Sequence, residues 1–219
     1  MKLLCLSDIH GEVAGLREIL PDAAEGADAV VLAGDLTHLG GYAEAEALLS
    51  PLFATGIPLL AVAGNMEHEG VRRYLGEKKI DIHGRGVVIG GVGFMGLGGG
   101  TPSPFHSPWE LGDPEARPLL AAGLAAIAEA SVKVLVSHSP PRGTKLDKSF
   151  TGLHVGSGAV REFLESAAVD VCICGHIHEA AGEDMIGKTL CVNLGPFKNG
   201  RYAVLEIEGR QARVDWRKR

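Results

Sequence analysis

Residues 2–35 decide the fold of this chain: "KLLCLSDIHGEVAGLREILPDAAEGADAVVLAGD". The segment begins and ends with short apolar runs that are typical of β-strands. Between these runs, apolar residues recur at helical spacing, at Val13, Leu16, Ile19 and Leu20. The order of strand, helix and strand predicts a βαβ unit with parallel strands. The sequence therefore indicates an α/β protein.

The same alternation continues along the chain. Seven further apolar runs predict strands, at residues 57–64, 86–91, 92–99, 132–137, 169–175, 189–195 and 201–208. Helices are predicted at residues 12–25, 43–53, 115–130 and 157–167, and Ser157 is a suitable N-cap. The closing run, residues 188–216, predicts added antiparallel strands. Since no repeat or linker divides the chain, we expect one domain over residues 1–219.

The composition suits a globular enzyme with a large buried core. The chain has 219 residues, of which 46% are hydrophobic and 22% charged, and it contains 31 glycines. Its formal net charge of −6 gives no global positive field that would attract nucleic acid or anionic lipid. We therefore expect a small substrate, no long nucleic acid partner and no membrane partner.

Two features of the sequence favour a cytoplasmic location. Only six residues precede Ser7 and Asp8, too few for the apolar region of a signal peptide, and no apolar run reaches membrane-spanning length. All four cysteines lie inside apolar, strand-like runs, which suits reduced and buried thiols. They are Cys5, Cys172, Cys174 and Cys191.

Side chains that commonly bind metals follow five of the predicted strands. They are Asp8 and His10, Asp35, Asn65, His138, and His176 with His178. Because the carboxyl ends of parallel strands line one crevice, we expect these side chains to converge there. The two histidines in "VCICGHIHEA", residues 171–180, are two positions apart, so an extended backbone places both rings on one side. Seven donors are too many for one tetrahedral zinc ion.

The donor types predict the chemistry of the site. Carboxylates, imidazoles and one amide, without a thiolate, suit a pair of divalent ions. Mn²⁺ is the expected ion, and Fe²⁺, Ni²⁺, Co²⁺ and Zn²⁺ also fit this donor set. Two ions about 3.5–4 Å apart can hold a bridging hydroxide and neutralise charge on a phosphoryl group that is attacked in line. The predicted reaction is therefore the hydrolysis of a phosphate ester.

Each short motif is a weak signal by itself. Asp-x-His after a strand is more often a turn or a helix cap, and Gly-Asp or Gly-Asn is more often a turn. The Gly-His-Ile-His motif at residues 175–178 is more specific, although two such histidines can also lie on the surface or pack locally. Because the motifs occur together, each after an apolar strand, coincidence is a poor explanation.

Five blocks, "SDIHG", "AGD", "AGN", "SHSPP" and "GHIH", resemble the signature blocks of the calcineurin-like metallophosphoesterases. The resemblance implies a four-layer α/β/β/α sandwich with a dinuclear metal centre at the strand ends. The ligand sets that it implies are Asp8, His10 and His178 for one ion, Asn65, His138 and His176 for the other, and Asp35 as the bridge. By the same resemblance, the expected catalytic residues are Asp35, Asn65 and His138. The remaining segments are similar to a small prokaryotic branch of predicted phosphoesterases.

One position departs from the family pattern. Many members have Gly-Asn-His-Asp after the third strand, with the histidine beside the leaving group or a phosphoryl oxygen, whereas this chain has Gly-Asn-Met-Glu. The thioether of Met66 cannot donate a proton, and general acid catalysis is typically worth about 10²–10⁴-fold. We therefore expect phosphodiesters or aryl phosphates to be preferred over alkyl monoesters, unless His68 or His154 replaces the missing histidine.

Three residues are predicted to bind the substrate. His38 lies in "GDLTH", Arg142 in "SHSPPRGTKLD" and His154 in "TGLHVGS". Arginine suits bidentate recognition of phosphate oxygens. Charged residues in such loops, including Lys145, are nevertheless more often only solvated. The irregular segment at residues 96–114 is a candidate binding loop whose Phe105 and Trp109 either stack on an aryl group or base or cover the core.

Three function classes fit these motifs to different degrees. A dinuclear phosphoesterase acting on a small phosphate ester, nucleotides included, is the leading interpretation because every ligand position holds a competent donor. The alternative is a noncatalytic metal-binding scaffold on the same fold, which Met66 favours slightly and the intact donor set opposes. An amidohydrolase-like enzyme has its His-x-His pair on the first strand of a barrel, whereas here the pair comes last. Exposed edge strands would also allow a homodimer.

Overall fold

The structure, a computed structural model, describes every residue from Met1 to Arg219. Two β-sheets lie face to face, and helices cover the outer face of each sheet. The strands are β1 (Lys2–Leu6), β2 (Ala29–Ala33), β3 (Leu59–Val62), β4 (Gly86–Ile89), β5 (Val92–Leu97), β6 (Val132–Ser137), β7 (Val171–Cys174), β8 (Gly182–Ile186), β9 (Thr189–Asn193), β10 (Arg201–Glu208) and β11 (Gln211–Lys218). The helices are α1 (Val13–Ala23), α2 (Tyr42–Phe53), α3 (Glu69–Glu77), α4 (Asp113–Ala126) and α5 (Gly158–Ser166). Short 3₁₀ turns lie at His178–Ala180 and Phe197–Asn199.

The first sheet has the strand order β11-β10-β1-β2-β3. As the pattern of residues 2–35 predicts, β1 and β2 are parallel, with Leu4 opposite Val30. The strand β3 continues the parallel arrangement. The strand β10 pairs antiparallel with both β1 and β11. One of the two neighbours of β1 is therefore β10, which comes much later in the sequence.

The second sheet has the strand order β4-β5-β6-β7-β9-β8. Its central strands β5, β6, β7 and β9 are parallel, and the antiparallel strands β4 and β8 form its edges. The prediction of antiparallel strands at residues 188–216 is confirmed for β10 and β11. It is wrong for the pairing of β9 with its inner neighbour, since β9 runs parallel to β7. Gly195 and Gly200, with φ of 67° and 85°, let the connection turn from the second sheet to the first.

Three apolar layers separate the sheets and helices. Leu4 and Leu6 of β1 pack toward the helices, in the first layer. The alternate residues Leu3 and Cys5 pack between the two sheets, in the second layer. A third layer, which includes Leu135, lies between the second sheet and its helices. Because both faces of the sheets are covered, the parallel strands are continuous apolar runs rather than alternating ones.

This architecture confirms the predicted α/β/β/α sandwich. Ser157 caps α5 as expected, because its Oγ accepts a hydrogen bond from Val160 N–H at 3.2 Å. The sequence did not predict α3 or β8, because α3 buries few apolar residues and β8 is a polar edge strand. The four cysteines are free and buried. No helix has both the length and the apolar character required to cross a membrane.

Candidate metal centre

The carboxyl ends of five strands meet at one edge of the molecule, where the two sheets approach each other. Backbone hydrogen bonds connect the sheets at this edge: Gly99 N–H, after β5, donates to Ala63 O, after β3, at 3.0 Å. Within the second sheet, Gly175 N–H, after β7, donates to His138 O, after β6, at 3.1 Å. The side chains that follow these strands are therefore brought close together.

Asp8, His10 and His178 form one group of possible metal ligands, which we call the outer cluster. His178 Nε2 lies 3.1 Å from Asp8 Oδ1 and 3.5 Å from His10 Nε2. The Asp8 side chain is buried, whereas the His178 side chain is 32% exposed. Two members follow β1 and the third follows β7, so the outer cluster joins the two sheets.

Asp35, His138 and His176 form a second group, the inner cluster. His138 Nε2 lies 3.4 Å from Asp35 Oδ1, and the ring centroids of His138 and His176 are 4.9 Å apart. Asn65 joins this group, with its Oδ1 3.0 Å from His138 Nε2. The His138 side chain is 0% exposed. All seven predicted donors thus lie in or beside two adjacent clusters.

Asp35 faces both clusters. Its Oδ1 lies toward His138 of the inner cluster, and its Oδ2 lies 3.8 Å from His10 Nε2 of the outer cluster. Met66 N–H donates to Oδ1 at 2.9 Å and holds the carboxylate in place. A carboxylate that directs one oxygen toward each group has the geometry required of a bridging ligand.

The His138 ring is oriented by the backbone. Nδ1–H donates to Ala33 O at 2.8 Å, which leaves the lone pair of a neutral ring on Nε2. This Nε2 faces Asn65 Oδ1, so two hydrogen-bond acceptors oppose each other. A cation bound between them would satisfy both atoms. The local arrangement therefore fits a metal ion.

The Asp8 carboxylate accepts two hydrogen bonds, one from a residue after each sheet's strand. Its Oδ2 accepts from Ser7 Oγ at 2.6 Å and from the backbone N–H of His176 at 3.1 Å. Gly175 is required at this position, because a Cβ there would collide with the Ser7 hydroxyl and the Asp8 carboxylate. This close approach explains the glycine that precedes the His-Ile-His sequence.

Four of the seven donors have a left-handed backbone conformation. The φ angle is 52° at Asp8, 49° at His10, 49° at Asp35 and 69° at His176. For a residue other than glycine, this conformation costs about 1–3 kcal/mol and persists only where the surrounding structure imposes it. Such residues concentrate at functional sites. At this edge the arrangement of the side chains overrides local backbone preference.

Burial and neighbouring charges set the protonation of the donors. Burial by itself would raise the pKa of Asp8, but the hydrogen bond from His178, the charge of His178 and the hydrogen bond from Ser7 outweigh burial and hold the pKa well below its usual range. Burial lowers the pKa of His10 to about 4 and the pKa of His176 to about 3. At neutral pH Asp8 is therefore anionic and both imidazoles are neutral, the forms that bind metals.

The pKa values of Asp35 and Glu67 are raised, in contrast to that of Asp8. Burial, with the charge of Asp8, raises the pKa of Asp35 to about 8. Burial, with the charge of Asp35, raises the pKa of Glu67 to about 8. Carboxylates crowded in a buried site repel each other, and a bound cation removes this repulsion. The charge environment therefore also fits a pair of divalent ions.

Glu67 has a role that the sequence did not reveal. Its buried carboxylate accepts hydrogen bonds from the backbone N–H groups of Asp35 at 3.1 Å, Thr37 at 3.0 Å and Gly64. It thereby ties the loop after β2 to the loop after β3 and positions Asp35 relative to Asn65. In the resemblance to the family motif, Glu67 stands at the position of the aspartate. Its three partners come from two loops, which no local pattern indicates.

Lys198 is a second residue that the sequence analysis missed. It lies in the turn Phe197–Asn199, and its backbone N–H donates to Asp8 O at 3.3 Å. Its side chain is exposed. Besides burial, the positive charge of Lys198 helps to lower the pKa of His10. No metal-binding motif surrounds Lys198 in the sequence, and only the connection from β9 to β10 brings it to the site.

Of the three predicted substrate-binding residues, His38 lies against a proposed metal ligand, His10. Its ring centroid is 5.6 Å from that of His10, in an edge-to-face arrangement. His154 Nδ1 instead pairs with Asp147 Oδ1 at 2.7 Å, and the Arg142 side chain is exposed. Neither His154 nor Arg142 forms a hydrogen bond or an ion pair with any of the seven donors. Their role in substrate binding stays a prediction.

The other aromatic and histidine candidates lie outside the clusters. His68 is exposed and occupies the N-cap position of α3. Trp109 packs against the first apolar layer, where its ring lies 5.0 Å from the His83 ring and 4.6 Å from the Arg72 guanidinium. Of its two predicted roles, covering the core is the one that these contacts favour. Phe105 is 92% exposed.

Comparison with known proteins identifies the family. The family of calcineurin-like phosphoesterases matches residues 1–180. An uncharacterised protein of Methanocaldococcus jannaschii is 32% identical over 203 residues, which cover 90% of this chain and 88% of that protein. The chain belongs to the calcineurin-like phosphoesterase family. The resemblance indicated by the five sequence blocks is thereby confirmed.

Solved structures with low sequence identity share the fold of this family member. The crystal structure of a Thermus thermophilus protein, TT1561, has a TM-score of 0.73 at 20% identity and covers 98% of this chain and 97% of its own. A dimetal phosphatase from Danio rerio has a TM-score of 0.69 at 15% identity and covers 98% of both chains. Family membership and the two donor clusters make this calcineurin-like protein a metal-dependent phosphoesterase. The family implies a dinuclear divalent metal centre.

Proposed function

We propose that the protein hydrolyses phosphate esters at a dinuclear centre in which Asp35 bridges the two ions. The observation that carries this proposal is the position of Asp35, whose two carboxylate oxygens face different clusters. The proposed ligands are Asp8, His10 and His178 for one ion and Asn65, His138 and His176 for the other. Mn²⁺ is the proposed ion, because a set of carboxylates, imidazoles and one amide without a thiolate suits it.

Each part of the site has a defined task in this proposal. Two bound ions would supply Lewis acidity toward the phosphoryl group and lower the pKa of a water molecule. Met66 N–H keeps the Asp35 carboxylate between the clusters, and Ala33 O keeps the His138 ring turned toward Asn65. Because these partners are backbone groups, the donors need little reorganisation before a substrate binds.

We further propose that phosphodiesters or aryl phosphates are the preferred substrates. Met66, half-buried beside Asp35, occupies the position at which many family members have a histidine. Its thioether cannot protonate a basic leaving oxygen. Neither His68 nor His154 forms a hydrogen bond or an ion pair with any of the seven proposed metal ligands. His38 lies beside His10, where a ring N–H of His38 can donate a hydrogen bond to a nonbridging phosphate oxygen.

The test of this preference compares three substrates with the Mn²⁺-loaded protein: bis(p-nitrophenyl) phosphate, p-nitrophenyl phosphate and glycerol 2-phosphate. We expect kcat/KM to be at least about tenfold higher for the aryl diester than for the alkyl monoester. Met66→His should raise turnover of the alkyl monoester by about 10²-fold, the lower end of general acid catalysis. Met66→Leu, similar in volume and without a donor, should change neither rate. Faster hydrolysis of glycerol 2-phosphate by the wild type contradicts the proposed preference.

The same assay separates the enzyme from a noncatalytic scaffold. Asp35→Ala and His176→Ala should each strongly reduce hydrolysis of every ester, and full activity retained in both variants would indicate a contaminating enzyme. Metal analysis should find about two ions per chain of wild-type protein. A protein that binds this amount of metal and hydrolyses none of the three esters would instead be a scaffold.

Four broader statements stay predictions. They are a cytoplasmic location, a homodimer, a nucleotide as substrate and a single domain over residues 1–219. The free and buried cysteines suit a reducing compartment. Subcellular fractionation and light scattering would test location and oligomeric state.

A further inference from the structure

A cavity of about 510 Å³ opens directly beside the outer cluster. His178, Glu179 and Ala181 form one part of its wall. The rest comes from the connection between β9 and β10 and from the paired ends of β10 and β11. The side chains that determine its chemistry are Arg201, Trp216 and Lys218. A substrate held at the outer cluster can therefore extend into this cavity, which we call the cationic cavity.

Arg201 and Lys218 occupy directly opposite positions of the antiparallel pair β10 and β11. Like charges in such positions repel each other and lower the stability of a sheet. The neighbouring cations Arg213, Arg217 and Arg219 each form an ion pair with a carboxylate. Arg201 and Lys218 form none, although the chain as a whole has a net charge of −6. An anion bound between them would relieve the repulsion.

The position of Arg201 is restrained by its neighbours. Its guanidinium carbon lies 5.5 Å from the centroid of the Trp216 ring, and Trp216 Nε1–H donates to Glu183 Oε1 at 2.7 Å. Glu179, the acidic residue in the cavity wall, accepts a hydrogen bond from Phe150 N–H at 2.6 Å. Each carboxylate therefore has a partner other than Arg201 or Lys218, and neither forms an ion pair with these two cations.

We infer that the cationic cavity binds a second phosphate group of the substrate, in addition to the phosphate that is hydrolysed. The inference rests on the proposed function and narrows the substrate class to phosphodiesters in which one arm carries a terminal phosphate. A guanidinium binds phosphate through paired N–H donors, and an ammonium adds a point charge. Because Arg201 is already held against Trp216, little of its side-chain freedom is lost when the anion binds.

The test uses two chromogenic diesters that differ by one phosphate: the p-nitrophenyl ester of thymidine 5′-phosphate, and the same compound with a 3′-phosphate. With Mn²⁺-loaded wild-type protein, we expect kcat/KM to be about tenfold higher for the 3′-phosphorylated diester. Combining Arg201→Gln with Lys218→Gln should remove this preference. Arg213→Gln is the matched control, because Arg213 belongs to the same hairpin but pairs with Glu206 at 2.9 Å. The control should keep the preference.

Binding measured without turnover separates the outcomes. By calorimetry, thymidine 3′,5′-bisphosphate should bind the wild type about tenfold more tightly than thymidine 5′-phosphate, and the double variant should lose this difference. If both diesters are hydrolysed equally well and both nucleotides bind equally, the inference is overturned and the proposed function stands. If neither diester is hydrolysed but the affinity difference persists, the proposed function fails and the cavity assignment stands.

Two further results keep the test specific. The double variant should melt at or above the wild-type temperature, because it removes a repulsive pair of charges. A lost preference then reports binding rather than unfolding. If Arg213→Gln loses the preference to the same extent, the effect belongs to overall charge, and the inference is overturned.

Discussion

The outer and inner clusters lie side by side, yet the structure holds them in different ways. In the inner cluster, His138 is fully buried and is turned by Ala33 O, and Asp35 is held by Met66 N–H. In the outer cluster, His178 is partly exposed, and its ring contacts other donors rather than the backbone. His138 is therefore fixed by the fold, whereas His178 is open to solvent and borders the cationic cavity.

This difference suggests a division of roles between the two positions. Solvent reaches His178, so an ion in the outer cluster should exchange readily, and substrate should approach from this side. An ion in the inner cluster would be enclosed by donors that have few alternative positions. A dinuclear site built in this way combines one rigid position with one accessible position.

The largest expected effect comes from Asp35, which belongs to both positions. Asp35→Ala should lower kcat by about 10³-fold or more, because the loss affects both ions and the placement of the substrate. His138→Ala and His178→Ala should each lose less, since each leaves the other cluster complete. Steady-state kinetics with the aryl diester would measure these losses. The exposed Asp22→Ala serves as the control, and a greater loss in His178→Ala than in Asp35→Ala contradicts the central position of Asp35.

Chelation should reveal the two positions as two rates of metal loss. With EDTA, the wild type should lose about one ion per chain quickly and a second slowly. We expect His178→Ala to keep mainly the slow ion and His138→Ala mainly the fast one. Metal analysis after rapid desalting would follow both, with the exposed His106→Ala as the control. Loss of both ions at one rate would show that the clusters do not differ in the way proposed.

A smaller effect is expected from Ser7, whose hydroxyl donates to Asp8. Ser7→Ala should weaken metal binding at the outer cluster by about 10–100-fold, because partners that orient a ligand contribute to affinity at this level. The inner cluster should be unaffected, since a backbone carbonyl orients His138. Titration with Mn²⁺ would measure both affinities. The exposed Ser131→Ala is the control, and an equal change at both clusters would contradict this assignment.

The smallest effect is expected from Glu67, which supports the inner cluster indirectly. Glu67→Gln replaces one acceptor oxygen by a donor facing backbone N–H groups, so the free energy of unfolding should fall by about 1–3 kcal/mol. The slow rate of metal loss should move toward the fast rate, because the loop that holds Asp35 is less well fixed. Urea denaturation and chelation would measure the two changes. The exposed Glu69→Gln should show neither.

The sequence predicts the donors well because each one follows an apolar strand, and strands of this kind are visible in a single sequence. Asp8, Asp35 and His176 are examples, since parallel topology alone brings such positions together. The left-handed backbone at these residues has no comparable signal, because aspartate and histidine adopt it only when tertiary contacts require it. The sequence therefore indicates the members of the site and leaves their backbone conformation undetermined.

The features that sequence analysis missed depend on contacts through space. Glu67 is identified by three N–H donors from two loops, and Lys198 by a connection that crosses from one sheet to the other. The strand β9 was expected beside antiparallel neighbours, but its apolar sequence suits the parallel position next to β7 equally well. Residues such as Arg201 and Lys218 become informative only when the register of β10 and β11 is known.

The pairing of β1 with β10 has a consequence for biosynthesis. While the polypeptide is being made on the ribosome, β1 emerges first and has only β2 as a possible partner, because β10 is translated about 200 residues later. His178 is also translated late, so a nascent chain contains Asp8 and His10 long before the third residue of the outer cluster has been synthesised. The outer cluster can thus be complete only after most of the chain has been synthesised.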